Sequence, residues 1–352
     1  MIETKTNKQS KNLLIPHSNW WKSTTNATTT FAMGLAVVVA SSVAGWSTVA
    51  QADSFPNETI KIISHTKAGS STDIFARQLA RAAEPILGQT IVIESRPGGS
   101  GAQQMAVLKS AKPDGYTIGV NTLTHLTSMQ TNLKGVYSVD DFSWISRVQL
   151  DPYIVAVAAD SQYETLADLM DANKSESDKP ISVGGYGPVG SAHNIAFNIL
   201  ASSKDTPFNW AAYGGGSQAM TALLGNHISA VNTNPGPALQ FVKAGRVRVL
   251  GVMNDERLEA FPDVPTYKEA GYDVDSDWKQ VRGIYGPKGI PLDRQEKLAD
   301  AFFEAIQTPE FKKYMEDSSL VYGELGPEEY SQYIVKQSDI AFNWLKKVGL
   351  VE

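Results

Sequence analysis

Two glycine-rich stretches hold most of the chemistry this sequence offers. The first is His65-Thr66-Lys67-Ala68-Gly69-Ser70-Ser71-Thr72-Asp73, directly after the β-branched run Ile60–Ser64. Its residues from Gly69 to Thr72 are small, so backbone N–H groups can face a ligand. A helix starting there would present unpaired N–H donors and a partial positive charge, which together make an anion site. An ordinary helix cap by Ser, Thr or Asp accounts for the same residues. The second stretch, Gly184-Gly185-Tyr186-Gly187-Pro188-Val189-Gly190-Ser191-Ala192-His193, has the same grammar of strand, glycine-rich turn, serine and helix. Facing each other across a cleft, two such loops would grip one carboxylate, or the two ends of a dicarboxylate.

Other chemistry is poorly supported. Ser71 or Ser191 with His193 and Asp73 can be drawn as a nucleophile triad, but no G-x-S-x-G elbow surrounds either serine. His65, His125, His193 and His227 lack metal-site spacing, and there is no cysteine to supply thiolate ligands or nucleophiles. Gly98-Gly99-Ser100-Gly101 follows neither the dinucleotide nor the P-loop order. The expectation is a binding protein with no catalytic residue, metal or cofactor.

Composition agrees with a folded, exported protein. The 352 residues are 42% hydrophobic and 19% charged, which excludes a disordered or collagen-like chain and a polytopic membrane protein. The net charge of −6 comes without a basic stripe, so nucleic acid is not an expected partner. Lys5, Lys8, Lys11 and Lys22 precede an apolar run from Phe31 to Trp46, and Ala50-Gln51-Ala52 forms an A-x-A site. The order of basic, apolar and small residues predicts a signal peptide over 1–52, cleaved after Ala52. The run is broken by Ser41, Ser42 and Gly45 and is short for a membrane span of about 20 residues. With no cysteine after it, a lipid anchor is excluded. Removing 1–52 takes away four Lys and one Glu and leaves a net charge of −9.

The elements that must position the loops follow from periodicity. Ile60–Ser64, Thr90–Glu94, Tyr116–Val120, Tyr153–Ala159, Ile181–Gly184, Ile228–Val231 and Val247–Met253 read as strands. Phe75, Leu79, Ala82 and Ile86 mark one face of a helix that Gly88 can end, with an end or kink expected at Pro85. Further helices are expected over 102–111, 166–173, 192–201, 218–224 and 235–244. A last strand over Gly283–Tyr285 precedes helices over 292–306, 309–318 and 327–348. Repeated β-α-β units predict an α/β fold with a parallel or mixed sheet, whose ligands bind beyond the strand carboxyl ends.

The order of several short motifs resembles one family over nearly all of 53–352. These are Ala68–Asp73, Ile93-Glu94-Ser95-Arg96-Pro97-Gly98-Gly99-Ser100-Gly101, Ala111-Lys112-Pro113-Asp114-Gly115-Tyr116-Thr117, Val189-Gly190-Ser191-Ala192-His193, Ala212-Tyr213-Gly214-Gly215-Gly216, Phe261-Pro262-Asp263-Val264-Pro265-Thr266 and Gly283–Pro291. The sequence is similar to the periplasmic solute-binding receptors of tripartite tricarboxylate transporters, also called Bug-type receptors. The resemblance implies a two-lobed periplasmic-binding-protein fold (type II, Venus flytrap) with the ligand cleft between the lobes. Lobe one would be 53–151 plus 276–352, and lobe two 152–275. It implies a monomer that takes a small organic carboxylate, a di- or tricarboxylate or an aromatic acid, to inner-membrane transporter subunits. Carried over by position, the ligand contacts are Lys67, Ala68, Ser70, Ser71, Thr72 and Asp73 from one lobe, and Tyr186, Val189, Gly190 and Ser191 from the other, with Thr122 and Asn234 at the sides. Thr122 as a helix cap and Asn234-Pro235 as a turn are the alternatives for those two. Where the family's tryptophan is expected, Trp278 stands earlier and Val281 and Arg282 follow; Arg282 reads as a surface salt bridge, or else as a second carboxylate partner. A sensor delivering the carboxylate signal to a membrane protein, and a secreted hydrolase, are the competing functions.

Overall fold

The computed structural model describes residues 55–172 and 180–352. The expected signal peptide and its cleavage point after Ala52 lie outside the described residues. From the amino-terminal side come β1 (Ile60–Ser64), α1 (Ser71–Leu87), β2 (Ile91–Ser95), α2 (Ala102–Ser110), β3 (Thr117–Asn121), α3 (Leu123–Gln130) and β4 (Phe142–Asp151). After Pro152 follow β5 (Tyr153–Ala158), α4 (Leu166–Asp171), β6 (Ile181–Tyr186), α5 (Ala192–Ser202), β7 (Phe208–Tyr213), α6 (Gly216–Leu224), β8 (Ala230–Thr233), α7 (Pro235–Lys243) and β9 (Val247–Met253). The chain closes with β10 (Gln280–Pro287), α8 (Leu292–Ile306), α9 (Pro309–Ser318), β11 (Val321–Leu325) and α10 (Pro327–Lys347).

The strands form two mixed sheets. Sheet one has the order β11-β4-β10-β3-β1-β2 and sheet two the order β7-β6-β8-β5-β9. In sheet one, β1 pairs in parallel with β2 and β3, while β10 runs antiparallel to both β3 and β4. In sheet two, β6 pairs in parallel with β7 and β8, while β5 runs antiparallel to β8 and β9. The first strand after each passage between sheets, β5 or β10, therefore runs against the strands on either side of it, and the edge strand β11 in turn runs antiparallel to β4. The two passages meet, because Asp151 at the end of β4 pairs with Gln280 at the start of β10.

One continuous apolar cluster runs from Trp144 and Tyr285 in sheet one, through Trp278 and Tyr330, to Tyr153 in sheet two and Phe197 on α5. Helix α10 contributes Tyr330, Ile334, Ala341 and Leu345 to it. A second cluster packs α1, α8 and α9 on the other face of sheet one, and a third packs α6 and α7 on sheet two. Burial of these faces is the main stabilising term.

Several expectations need correction. Helix α1 does not stop at Pro85 but continues to Leu87 with one i→i−4 hydrogen bond missing at the proline; Gly88 then ends it at φ 65°, donating to Glu84 O. Gly283–Tyr285 is the middle of an eight-residue strand and not the last one, since β11 follows. Strands β4 and β7 and helix α3 also lie where no element was expected.

Candidate functional site

Both glycine-rich stretches end in the same cap. In the first, Ser70 is the N-cap of α1 and its Oγ accepts from Asp73 N at 3.3 Å. Asp73 reaches back to accept from Gly69 N at 2.9 Å. In the second, Ser191 is the N-cap of α5 and its Oγ accepts from Asn194 N at 3.3 Å, while Asn194 Oδ1 accepts from Gly190 N at 2.9 Å. Gly69 and Gly190 sit at φ 81° and 83°, a region that favours glycine. Each cap satisfies the third N–H of its helix. The N–H groups of Ser71 and Thr72, and of Ala192 and His193, make none of the described hydrogen bonds. They are the donors a helix start offers to an anion.

A chain of contacts joins the two caps through the place where the chain crosses between sheets. Arg282 Nη2 on β10 donates to Ser71 Oγ at 3.3 Å, and the same nitrogen lies 3.8 Å from Asp151 Oδ2. Asn234, the N-cap of α7, donates from Nδ2 to the carbonyls of Asp151 and Pro152, both at 3.0 Å. With its amide thus oriented, Asn234 Oδ1 accepts from His193 Nε2 at 3.1 Å, so His193 Nδ1 is an unfilled acceptor. The His193 ring stands edge-on to Tyr153 and to Tyr186. Trp278 ties the returning segment to the same helix start, donating from Nε1 to Ala192 O at 2.9 Å.

The electrostatics of this floor follow from burial. Burial pushes the His193 imidazole down to about 4 despite its bond to Asn234, with Arg282 adding to the shift, so the ring is neutral near pH 7. His65, half-buried as a residue but with Nδ1 enclosed, is held well below its usual value by burial, His125 and Arg282. Asp151 moves the other way: burial raises its carboxyl to about 7, against the pull of Arg282. Burial also raises the Tyr153 hydroxyl far above its normal range.

The site residues expected from sequence divide into groups. Ser71, with Thr72, stands at the start of α1 beside Arg282, and Ser70 holds the cap. Asp73 is buried and its oxygens serve Gly69 and Arg77, the latter at 2.9 and 3.1 Å. Lys67 and Ala68 are exposed on the turn. Thr122 is the N-cap of α3 and lies 3.4 Å from His65 Nε2. Gly190 and Ser191 form the second cap, while Tyr186 and Val189 are exposed beside it, at 42% and 47%. Asn234 bridges His193 and the crossing. Arg282 is not on the surface as expected: its side chain is 5% exposed, because β10 lies inside the sheet between β3 and β4. The triad geometry is not formed either, since Ser191 Oγ donates to Tyr186 O and His193 Nε2 is taken by Asn234. Asp151 and Tyr153 were passed over in sequence. An Asp-Pro-Tyr step between two apolar runs was the available signal.

Comparison with known proteins shows the family and the fold. A family model described as "Tripartite tricarboxylate transporter family receptor" matches residues 75–350. A UPF0065 protein from the gbd 5′ region of Cupriavidus necator is 29% identical over 326 residues, covering 93% of this chain and 96% of that protein. A TctC solute-binding protein from Polaromonas shares the fold at a TM-score of 0.72 and 25% identity, with 83% of this chain and 99% of the other covered. Two neighbours from Rhodopseudomonas palustris were solved with ligands: MatC with malate (TM-score 0.67, 22% identity, 83% and 100% covered) and Rpa4515 with adipate (TM-score 0.71, 19% identity, 84% and 99% covered). The architecture is thus a two-lobed α/β periplasmic-binding-protein fold. The chain belongs to the receptor family of the tripartite tricarboxylate transporters.

Proposed function

We propose that this protein is a periplasmic receptor that captures a small organic carboxylate between its lobes and hands it to inner-membrane transporter subunits. The observation that carries this reading is the pair of matched caps. Two helices on different sheets begin with the same turn, each leaves two N–H donors unused, and a line of contacts joins them. Such donors favour negative charge over neutral or cationic guests. The malate and adipate held by the two Rhodopseudomonas neighbours support the ligand class.

In this reading lobe one is 53–151 plus 276–352 and lobe two is 152–275. The carboxylate meets the N–H groups of Ser71 and Thr72 and the hydroxyls of Ser70 and Ser71 on one side. On the other it meets the loop of Tyr186, Val189, Gly190 and Ser191, with Thr122 and Asn234 flanking and Lys67 and Ala68 at the rim. Asp73 acts through the turn that it holds. A ligand touching both lobes stabilises the closed arrangement by its differential affinity. Charge-assisted hydrogen bonds contribute roughly 1.5–3 kcal/mol each, so three or four, less the cost of ordering, give about micromolar affinity. The protein acts as a monomer without catalysis, is exported on residues 1–52 and is cleaved after Ala52.

A thermal-shift and calorimetric screen of di- and tricarboxylates, aromatic acids, sugars and amines tests the reading. Stabilisation by one or more carboxylates is expected. Stabilisation by sugars or amines with none by carboxylates overturns it.

A further inference from the structure

Arg282 and Asp151 face one another where the chain crosses between the sheets, but they do not hydrogen-bond to each other. Their side chains are 5% and 8% exposed, yet the nearest nitrogen and oxygen are 3.8 Å apart, beyond hydrogen-bond distance. A guanidinium is permanently charged and has five N–H donors. Those of Arg282 serve Ser71 Oγ at 3.3 Å and its own neighbour's carbonyl, Val281 O, at 3.2 Å. Asp151 Oδ1, the Tyr153 hydroxyl and His193 Nδ1 are all enclosed without a hydrogen-bond partner. A buried cation next to a buried carboxylate that does not bond to it, ringed by unfilled polar atoms, is an arrangement that an anion completes. Ser71 fixes where that anion would lie. It is the first residue of α1 and accepts from Arg282, so a carboxylate on the free N–H groups of Ser71 and Thr72 arrives beside the guanidinium.

We propose that Arg282 is the ionic anchor of the ligand carboxylate at α1, and that Asp151 takes up one solvent proton as that carboxylate docks. The proposal rests on the carboxylate-receptor reading and names the charge logic of the same site. Two carboxylates around one buried guanidinium leave a net negative charge in a place that solvates it poorly. A proton on Asp151 removes that charge and turns an acceptor into a donor; on release the proton returns to solvent. The groups that interact with Asp151 are Arg282 from β10, Tyr153 from β5 and Tyr314 from α9, with Tyr333 of α10 beyond Tyr153, and with His193 of α5 and His65 on the far side of Arg282. Burial keeps the tyrosine hydroxyls protonated near pH 7, that of Tyr314 at about 12, and both histidines neutral. Asp151, at about 7, is then the group that changes charge as the ligand arrives.

The test is isothermal calorimetry of the purified protein with succinate, malate, glutarate, adipate and benzoate, at pH 7.5 in two buffers of different ionisation enthalpy. For whichever acid binds tightest, uptake of about half to three-quarters of a proton per ligand is expected, with affinity about twentyfold higher at pH 6.5 than at pH 8.5. Asp151→Asn should abolish both the uptake and the pH dependence. Arg282→Gln should weaken binding at least tenfold, and Arg282→Lys should restore part of it. Tight binding by the unaltered protein with no proton uptake and a flat pH profile overturns the proposal while leaving the receptor reading intact. So does undiminished affinity in Arg282→Gln, or in the equally uncharged Arg282→Met should the glutamine variant not fold. Binding of none of the carboxylates in the wider screen, with sugars or amines bound instead, overturns the receptor reading and the proposal with it.

Discussion

The turn Gly69-Ser70-Ser71-Thr72-Asp73 and the turn Gly190-Ser191-Ala192-His193-Asn194 are the same object made from different charge. Their glycines share one conformation, their serines cap at φ −72° and −66°, and their two hydrogen bonds agree in length. The pattern Gly-Ser-x-x-Asp/Asn therefore sets the backbone, and the fifth residue sets the charge. In the first turn it is an aspartate held by Arg77; in the second it is an asparagine held by Asn198 Nδ2 at 3.1 Å. Their surroundings differ as well. Gly69 has open space where a side chain would stand, whereas Gly190 lies under Leu345 and Leu350 at the end of α10. One turn is charged and free, the other neutral and clamped.

The clamp gives the largest expected difference. Gly69→Ala should cost about 1–2 kcal/mol, the strain of a left-handed alanine. Gly190→Ala carries the same strain, and its Cβ would collide with Leu350 Cδ1 and stand 2.9 Å from Leu345 Cδ2. Leu345 is fully buried and cannot swing away, so a loss of about 2–4 kcal/mol is expected in urea unfolding. Equal losses at the two glycines would show that α10 does not clamp the second turn.

Titration comes next, and here the two lobes meet in one environment. His193 has a folded value of about 4 against an ordinary 6.5, so between those values the unfolded chain binds more protons and stability falls as pH falls. Asp151, raised to about 7 from 3.8, does the reverse: its contribution is complete below 3.8 and lost as pH rises through 7. Taken from pH 7 to 4.5, His193→Gln should lose about 2–3 kcal/mol less than the unaltered protein and Asp151→Asn about 2–3 kcal/mol more. Changes of the same sign in both variants would refute this opposition.

Much of the frame was legible in the sequence because local rules agreed with tertiary fate. Val247–Met253, Leu292–Ile306 and Pro309–Ser318 lie where periodicity and proline placed them. Helix α3 was not legible. Its Leu-Thr-His-Leu-Thr-Ser-Met-Gln has weak helix propensity and is held from outside, by the Thr122–His125 capping box and the Gln280 side chain at Leu123 N. Strand β11 is an edge strand interrupted by Gly323, and β4 is buried on both faces, so neither alternates cleanly. In the site, each turn is local and could be read, but Arg282 and Asp151 acquire meaning only when β4 pairs with β10. Aligning the two turns by their fifth residue would have exposed the repeated cap from sequence alone.

Exchanging the fifth residues sharpens the comparison further. Asp73→Asn should cost about 1 kcal/mol, since Arg77 is half exposed and its ion pair is screened. Burial raises the Asp73 carboxyl, but the bonds from Arg77 and Gly69 outweigh it and hold the group below its usual value. Its contribution is thus present above the ordinary carboxylate range and is lost as pH falls through the depressed value. Asn194→Asp buries a carboxylate against the neutral Asn198 and should cost about 2 kcal/mol at pH 7, relieved by adding Asn198→Arg. No relief in the double variant would mean that the two turns are not interchangeable in their charge support.

The smallest effects test the sameness itself. Ser70→Ala and Ser191→Ala each remove one acceptor for a third helical N–H, and each should cost about 1 kcal/mol. Each serine also donates onward, Ser70 to Thr66 Oγ1 at 2.6 Å and Ser191 to Tyr186 O at 2.9 Å. The two losses should therefore agree within about 0.5 kcal/mol in matched denaturant curves, and the double variant should show their sum, as independent sites do. A sum that falls short would mean that loosening one cap already loosens the other through the line of Arg282, Asp151, Asn234 and His193. Coupling of that kind would make the two turns one cooperative clasp, where additivity leaves them two separate hands.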